Sequence, residues 1–130
     1  MAQTFENVTL YLKSDMFGNI HRIDASFVVI DEGLRYAQYS NATRVDFIPK
    51  GKRKPRGVWV TSYPFIIVLR REDAINPDDM YGDAEVRNGV SVRQSRYSCF
   101  DDRYVTDFQA QLEATGVTPL YQRISNEREW

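Results

Sequence analysis

The sequence holds a single cysteine, Cys99, and a single histidine, His21. One thiol excludes an internal disulfide, which fits a reducing compartment, so the expected location is cytoplasmic. Two His/Cys side chains fall short of the ligand set that a zinc site takes, so no metal or other cofactor is expected. Net charge is nearly absent: 17 basic residues stand against 18 acidic ones. No case for a partner follows from whole-chain charge, and any such case must be local. Long apolar runs are missing as well. The longest, Phe27 to Ile30 and Phe65 to Leu69, are much too short to span a bilayer, so no membrane partner is expected. The first residues, MAQTFENVTLYLK, lack the basic-then-apolar pattern of a signal peptide, and none is expected. There is no internal repeat, no low-complexity tract and no GxxxxGK[ST] phosphate loop. Asn-X-Thr triplets at Asn7 and Asn41 are read as chance matches in a chain of this compartment.

What is present is an ordinary globular balance, 42% hydrophobic and 27% charged, with 13% aromatic residues. A chain of 130 residues fits one domain, 1–130, with a core of its own. The first half reads as strands. Val8, Leu10 and Leu12 alternate with Thr9, Tyr11 and Lys13 at period two. Turns are expected at Ser14 to Asn19, at Asp31-Glu32-Gly33 and at Ser40-Asn41. Between them lie strands over Ile20 to Ile30, interrupted near Asp24, over Leu34 to Tyr39, and over Arg44 to Ile48. Val58 to Thr61 and Phe65 to Arg70 continue the pattern, with Pro64 marking a bulge, an edge or a break. The β-branched run in Phe65 to Arg70 argues against a helix capped by Ser62. Asn88-Gly89, flanked by valines, predicts a hairpin. One helix is predicted near the C-terminus, capped at Ser98 or Asp101, with Tyr104, Val105, Phe108 and Leu112 on one face. Gly116 stops it and Pro119 prevents resumption. The expected fold is α+β: an antiparallel β-meander of about five to seven strands packed by one C-terminal α-helix.

Catalytic constellations are sparse. A Cys99–His21 nucleophile pair is conceivable, but Cys99 beside Phe100 fits a buried small hydrophobe better. The segment from Glu72 to Glu85 carries six acids and no base. Asp78, Asp79 and Asp83 offer carboxylates to a divalent ion, yet the spacing does not match a calcium loop, and a solvated loop is the plainer reading. No catalytic residues are assigned, and the chain is expected not to be an enzyme.

One segment stands apart. KGKRKPRG, residues 50–57, places Lys50, Lys52, Arg53, Lys54 and Arg56 within eight positions. Such density costs self-repulsion unless an anion offsets it. Phosphates are the obvious anion, and each one neutralised adds salt-sensitive affinity. Gly51 and Pro55 keep the segment irregular, so it is expected to project as a finger between two strands. Trp59 and Tyr63 follow it on one face of an ideal strand and are the candidates for stacking unpaired bases. The bland alternative is a solvated hairpin tip, or a tip neutralised by the chain's own acidic segment.

KRKPRGVWVTS, Lys52 to Ser62, resembles the basic loop and short strand of the whirly-type coactivator domains of single-strand binders. The following IIVLRR is strand-like where that family has a helix, and no residue roles are carried over. The expected function is a non-enzymatic nucleic-acid-binding domain favouring single strands. The alternative is a small protein-interaction or inhibitor module that binds a larger protein; the terminal Trp130 behind acidic residues fits a partner's pocket, though a frayed tail with an incidental Trp is the plainer reading. A homo-oligomer is a further option, with Val8 to Leu12 as an exposed sheet edge pairing across an axis.

Overall fold

The computed structural model describes residues 2–13, 19–61, 64–75, 84–87, 90–94 and 103–124. Its strands are β1 (Ala2–Lys13), β2 (Asn19–Tyr36), β3 (Tyr39–Pro49), β4 (Arg56–Val60), β5 (Phe65–Arg70), β6 (Ala84–Arg87), β7 (Val90–Gln94) and β8 (Tyr121–Ile124). A short 3-10 turn, Arg71–Asp73, and one helix, α1 (Arg103–Thr115), complete the described elements. Every pairing is antiparallel. The sheet runs in the order β4-β3-β2-β1-β5-β8, with β7 beside the start of β2 and β6 beside β7. The class is α+β, and β1 to β4 form the expected meander. The main path has six strands, within the expected five to seven, and among the described residues the β6–β7 hairpin adds to it by docking on Asn19 to Arg22. Arg87 pairs with Val90, as the Asn88-Gly89 hairpin requires, although those two residues lie outside the described ones.

The sequence expectation placed Val8 to Leu12 at an exposed edge, and the structure reverses this. β1 is paired on both sides, by β2 and by β5, and Val8 through Lys13 are all buried. Its alternation therefore divides two cores rather than a core from solvent. Val8, Leu10 and Leu12 join Ile23, Val28, Ile30, Val45, Phe47, Val60, Ile66 and Val68 on one face. Tyr11 joins Phe65, Ile67, Leu69, Ile75, Phe108 and Leu112 on the other. Phe108 meets Tyr11 and Phe65 edge-on, with ring centroids 4.9 and 5.3 Å apart. Polar atoms on the second face find partners: Thr9 Oγ1 donates to Asp24 Oδ1 at 2.8 Å, and the Tyr11 hydroxyl donates to the Ile75 carbonyl.

Both central strands switch faces once. Phe5 and Val8 contact the same core, as do Ala25 and Val28, although each pair is separated by an odd number of residues. The switch falls at Asn7, whose φ is +53°, and at Ser26, where the pairing of β2 with β3 shifts register. Asn is among the few side chains that tolerate that backbone region. The expected interruption of the second strand near Asp24 is this bulge.

Asp31-Glu32-Gly33 is not a turn. β2 continues through it to Tyr36, and the expected third strand is the end of β2. The positive φ of Gly33, +72°, serves a bulge instead, with two residues of β2 opposite Thr43 alone. The bulge aims Glu32 at the far strand of the path. Tyr121 of β8 donates its hydroxyl to Glu32 Oε1 at 2.6 Å, and Arg123 Nη1 lies 3.5 Å from the same oxygen. With Tyr121 also edge-on to Phe5 at 6.3 Å, the sheet curls until β8 touches β2. The chain reverses not at Ser40-Asn41 but at Ala37-Gln38, between Tyr36 and its partner Tyr39. Ala37 has φ +52°, a region that costs a residue bearing a Cβ about 1–2 kcal/mol. Ala37→Gly is expected to raise stability by about 1 kcal/mol, read as a higher melting temperature; no gain would mean the turn relaxes without help.

Pro64 marks a break: β4 and β5 do not pair, and β5 crosses back to β1. α1 ends as expected at Gly116, φ +70°, while its predicted caps Ser98 and Asp101 lie outside the described residues. No helix among the described residues is long and apolar enough to cross a membrane.

Two tyrosines tie stability to alkaline pH. Burial pushes the Tyr11 phenol up to about 12, against the pull of the nearby Arg22 guanidinium. Burial, then Glu32, raises Tyr121 as well. Folding thus favours the protonated phenols. Their contribution is intact below pH 10, the ordinary tyrosine value, and is lost as pH climbs through the folded value. For Tyr11 the loss is roughly 2–3 kcal/mol. Denaturant unfolding between about pH 9 and 12 should show this fall, and Tyr11→Phe should flatten it relative to its own neutral stability. An equally steep fall in the variant would place the effect elsewhere.

Candidate nucleic-acid interface

The basic segment connects β3 to β4, and its first residues are fixed. Lys52 N donates to Pro49 O at 3.0 Å, and Gly51 has φ +78°. That is a type II turn, which needs glycine at its third position. Lys50 N donates to Asp24 O at 2.8 Å, pinning the turn to β2. The expected projecting finger is therefore a turn anchored at its base. A glycine two residues after a proline was the signal in the sequence.

Lys50 through Gly57 are all exposed. Among the described residues, no carboxylate forms an ion pair with Lys50, Lys52, Arg53, Lys54 or Arg56. Two acids of the 72–85 segment are engaged nearby in sequence: Glu72 and Asp73 both pair with Arg70, at 3.2 and 2.7 Å. Asp78, Asp79 and Asp83 lie outside the described residues. Lys52, Lys54 and Arg56 converge, with Pro49, on a pocket of about 270 Å³. Lys50 and Arg53 do not line it. The Arg56 guanidinium sits 5.9 Å from the centroid of Phe47, a cation–π contact that fixes one wall of the pocket.

The aromatic candidates are placed differently. Val58 and Val60 face the first core, and Arg56 shares their side of β4. Trp59 points to the opposite side, so the structure does not bring Trp59 and Arg56 onto one face. Trp59 is also engaged. Tyr36 stacks on it with centroids 4.4 Å apart and planes 12° from parallel, and the Arg44 guanidinium lies 5.3 Å from its ring. Arg44 is held in turn by Asp46, Nε to Oδ1 3.2 Å. This pair crosses Gly57, where an added Cβ would run into both side chains. Sequence reasoning missed Tyr36, which is 43% exposed and forms the outward half of the stack. Nothing in the local pattern of β2 marks it as a partner of Trp59. Tyr63 lies outside the described residues.

Other candidates fare variously. His21 sits in β2 opposite Leu12 and Val92, and Cys99 and Trp130 lie outside the described residues. No group of three or more His, Cys, Asp or Glu among the described residues is placed to hold a metal ion. β5 occupies the stretch where the resemblance to whirly-type domains would put a helix. Compared with known protein families, curated proteins and solved structures, the chain matches none of them.

Proposed function

We propose that this chain is a non-enzymatic nucleic-acid-binding domain that takes single strands through the turn between β3 and β4. The observation that carries the reading is the convergence of Lys52, Lys54 and Arg56 on one pocket, with no carboxylate paired to them among the described residues. Clustered cations with no described acid beside them, held on an anchored turn, cost repulsion that a polyanion relieves. Lys50 and Arg53 contact flanking phosphates. Stacking falls to the exposed Tyr36 face of the Tyr36–Trp59 pair rather than to Trp59 alone, and a strand reaches it by passing over β4, the end of the sheet. In the same reading α1 covers the second core face and leaves the β3–β4 end of the sheet open to the ligand.

A second reading, a protein-interaction or inhibitor module, is favoured by the exposed Tyr36 ring, since aromatic anchors are enriched at protein interfaces. Oligonucleotide binding decides between them. Labelled single-stranded and duplex oligonucleotides, titrated at several salt concentrations, should show single-strand binding that weakens steeply with salt. Absence of binding at low salt would end the first reading, and salt-independent binding would remove the cations from it.

A further inference from the structure

We infer that the Lys52–Lys54–Arg56 pocket captures a terminal phosphate monoester, so that the domain engages strand ends in preference to strand interiors. The inference rests on the nucleic-acid reading above and adds to it which phosphate the pocket takes.

The charge of the lining carries it. At about 270 Å³ the pocket falls below the roughly 300–1,000 Å³ of sites that enclose a drug-sized ligand. A phosphate group fits it with room to spare, so the choice of group rests on charge rather than on size. Three cations line it and, among the described residues, no acid does. A phosphodiester brings one negative charge and two free oxygens. A monoester brings close to two charges near neutral pH and three free oxygens, each able to take a charge-assisted hydrogen bond. The arginine supplies a planar fork suited to two of those oxygens, and the lysines supply point charges. The walls are also held in place. Arg56 sits in a strand and over Phe47, and the turn that carries Lys52 is fixed by the Lys52–Pro49 and Lys50–Asp24 backbone bonds. Lys50 and Arg53, outside the pocket, are left for the interior diesters that follow.

The division of labour between the two sets of cations gives the test. One sequence is prepared with a 5′-phosphate, with a 3′-phosphate and with neither, and each is titrated against the full chain. At least one phosphorylated end should bind about tenfold tighter than the unphosphorylated strand. The preference should vanish near pH 5, where the monoester has taken its second proton, pKa about 6. Lys54→Gln with Arg56→Gln should erase the preference while leaving residual, salt-sensitive binding. Lys50→Gln with Arg53→Gln should weaken all three strands alike and keep the preference. Equal binding of all three strands by the unaltered protein overturns the inference while leaving the nucleic-acid reading standing. No binding of any strand overturns both. Competition by a phosphoserine peptide as strong as by the phosphorylated strand would also overturn it, because the strand would then not be the carrier of the group.

Discussion

Changing Lys50, Lys52, Arg53, Lys54 and Arg56 together to serine is expected to abolish single-strand binding while leaving the fold intact. Five neutralised phosphates give a salt slope near −3.5 on logarithmic axes, at about 0.7 per phosphate on a single strand. Between about 50 and 200 mM salt the unaltered protein should then lose roughly a hundredfold in affinity. In the serine variant the slope should approach zero, and with it the affinity. Folding should hardly notice. All five side chains are exposed, and exposed substitutions of this kind usually stay within about 0.5 kcal/mol. Among the described residues, only the cation–π interaction of Arg56 with the Phe47 ring is removed, itself worth about 0.5–1 kcal/mol at an exposed site. A near-unchanged melting temperature therefore separates loss of binding from loss of structure. A variant that kept the original salt slope would show that the phosphates are read elsewhere.

Leu10→Ala should have the largest effect on stability. Leu10 is fully buried, sits between Ile23 of β2 and Val68 of β5 in the pairing of β1, and belongs to the first core. Truncating such a side chain costs about 2–5 kcal/mol, more where neighbours paired on both sides cannot close the cavity. Against a total of roughly 5–15 kcal/mol for a domain, the loss leaves the chain close to unfolding at moderate temperature. Urea denaturation is the measurement, with Glu6→Ala as an exposed control on the same strand. A cost below about 1 kcal/mol would be incompatible with a large side chain walled in on both sides.

The same strand shows what the sequence could and could not convey. The alternation of Val8, Leu10 and Leu12 announced a strand, and its period gave one apolar face correctly. The other face carries Thr9, Tyr11 and Lys13, whose polar atoms look solvent-bound when read alone. Their burial depends on partners distant in sequence: Asp24 for Thr9 and Ile75 for Tyr11. An edge and a centre therefore have the same local pattern. Gly33 misled for a related reason, because a positive φ serves a turn and a bulge equally well. Ala37-Gln38 was passed over because neither residue is a turn former, while Ser40-Asn41 beside it is. At the candidate interface the five cations were legible as composition. Their pocket was not, since it depends on where a type II turn and strand β4 bring Lys52, Lys54 and Arg56. Nor was the stack of Tyr36 on Trp59, which joins strands that do not pair with each other.

The Glu32–Tyr121 contact has a bearing on how the protein is produced. Its two halves lie far apart in the chain, so it forms late, after most loop-closure entropy has been spent. Until Tyr121 arrives, β5 is the border of the growing sheet, and the backbone groups along Phe65 to Val68 offer a template to any other chain nearby. Recovery from denaturant should thus be limited by encounters between incomplete molecules rather than by the strength of the finished core. Dilution during renaturation is the lever on yield.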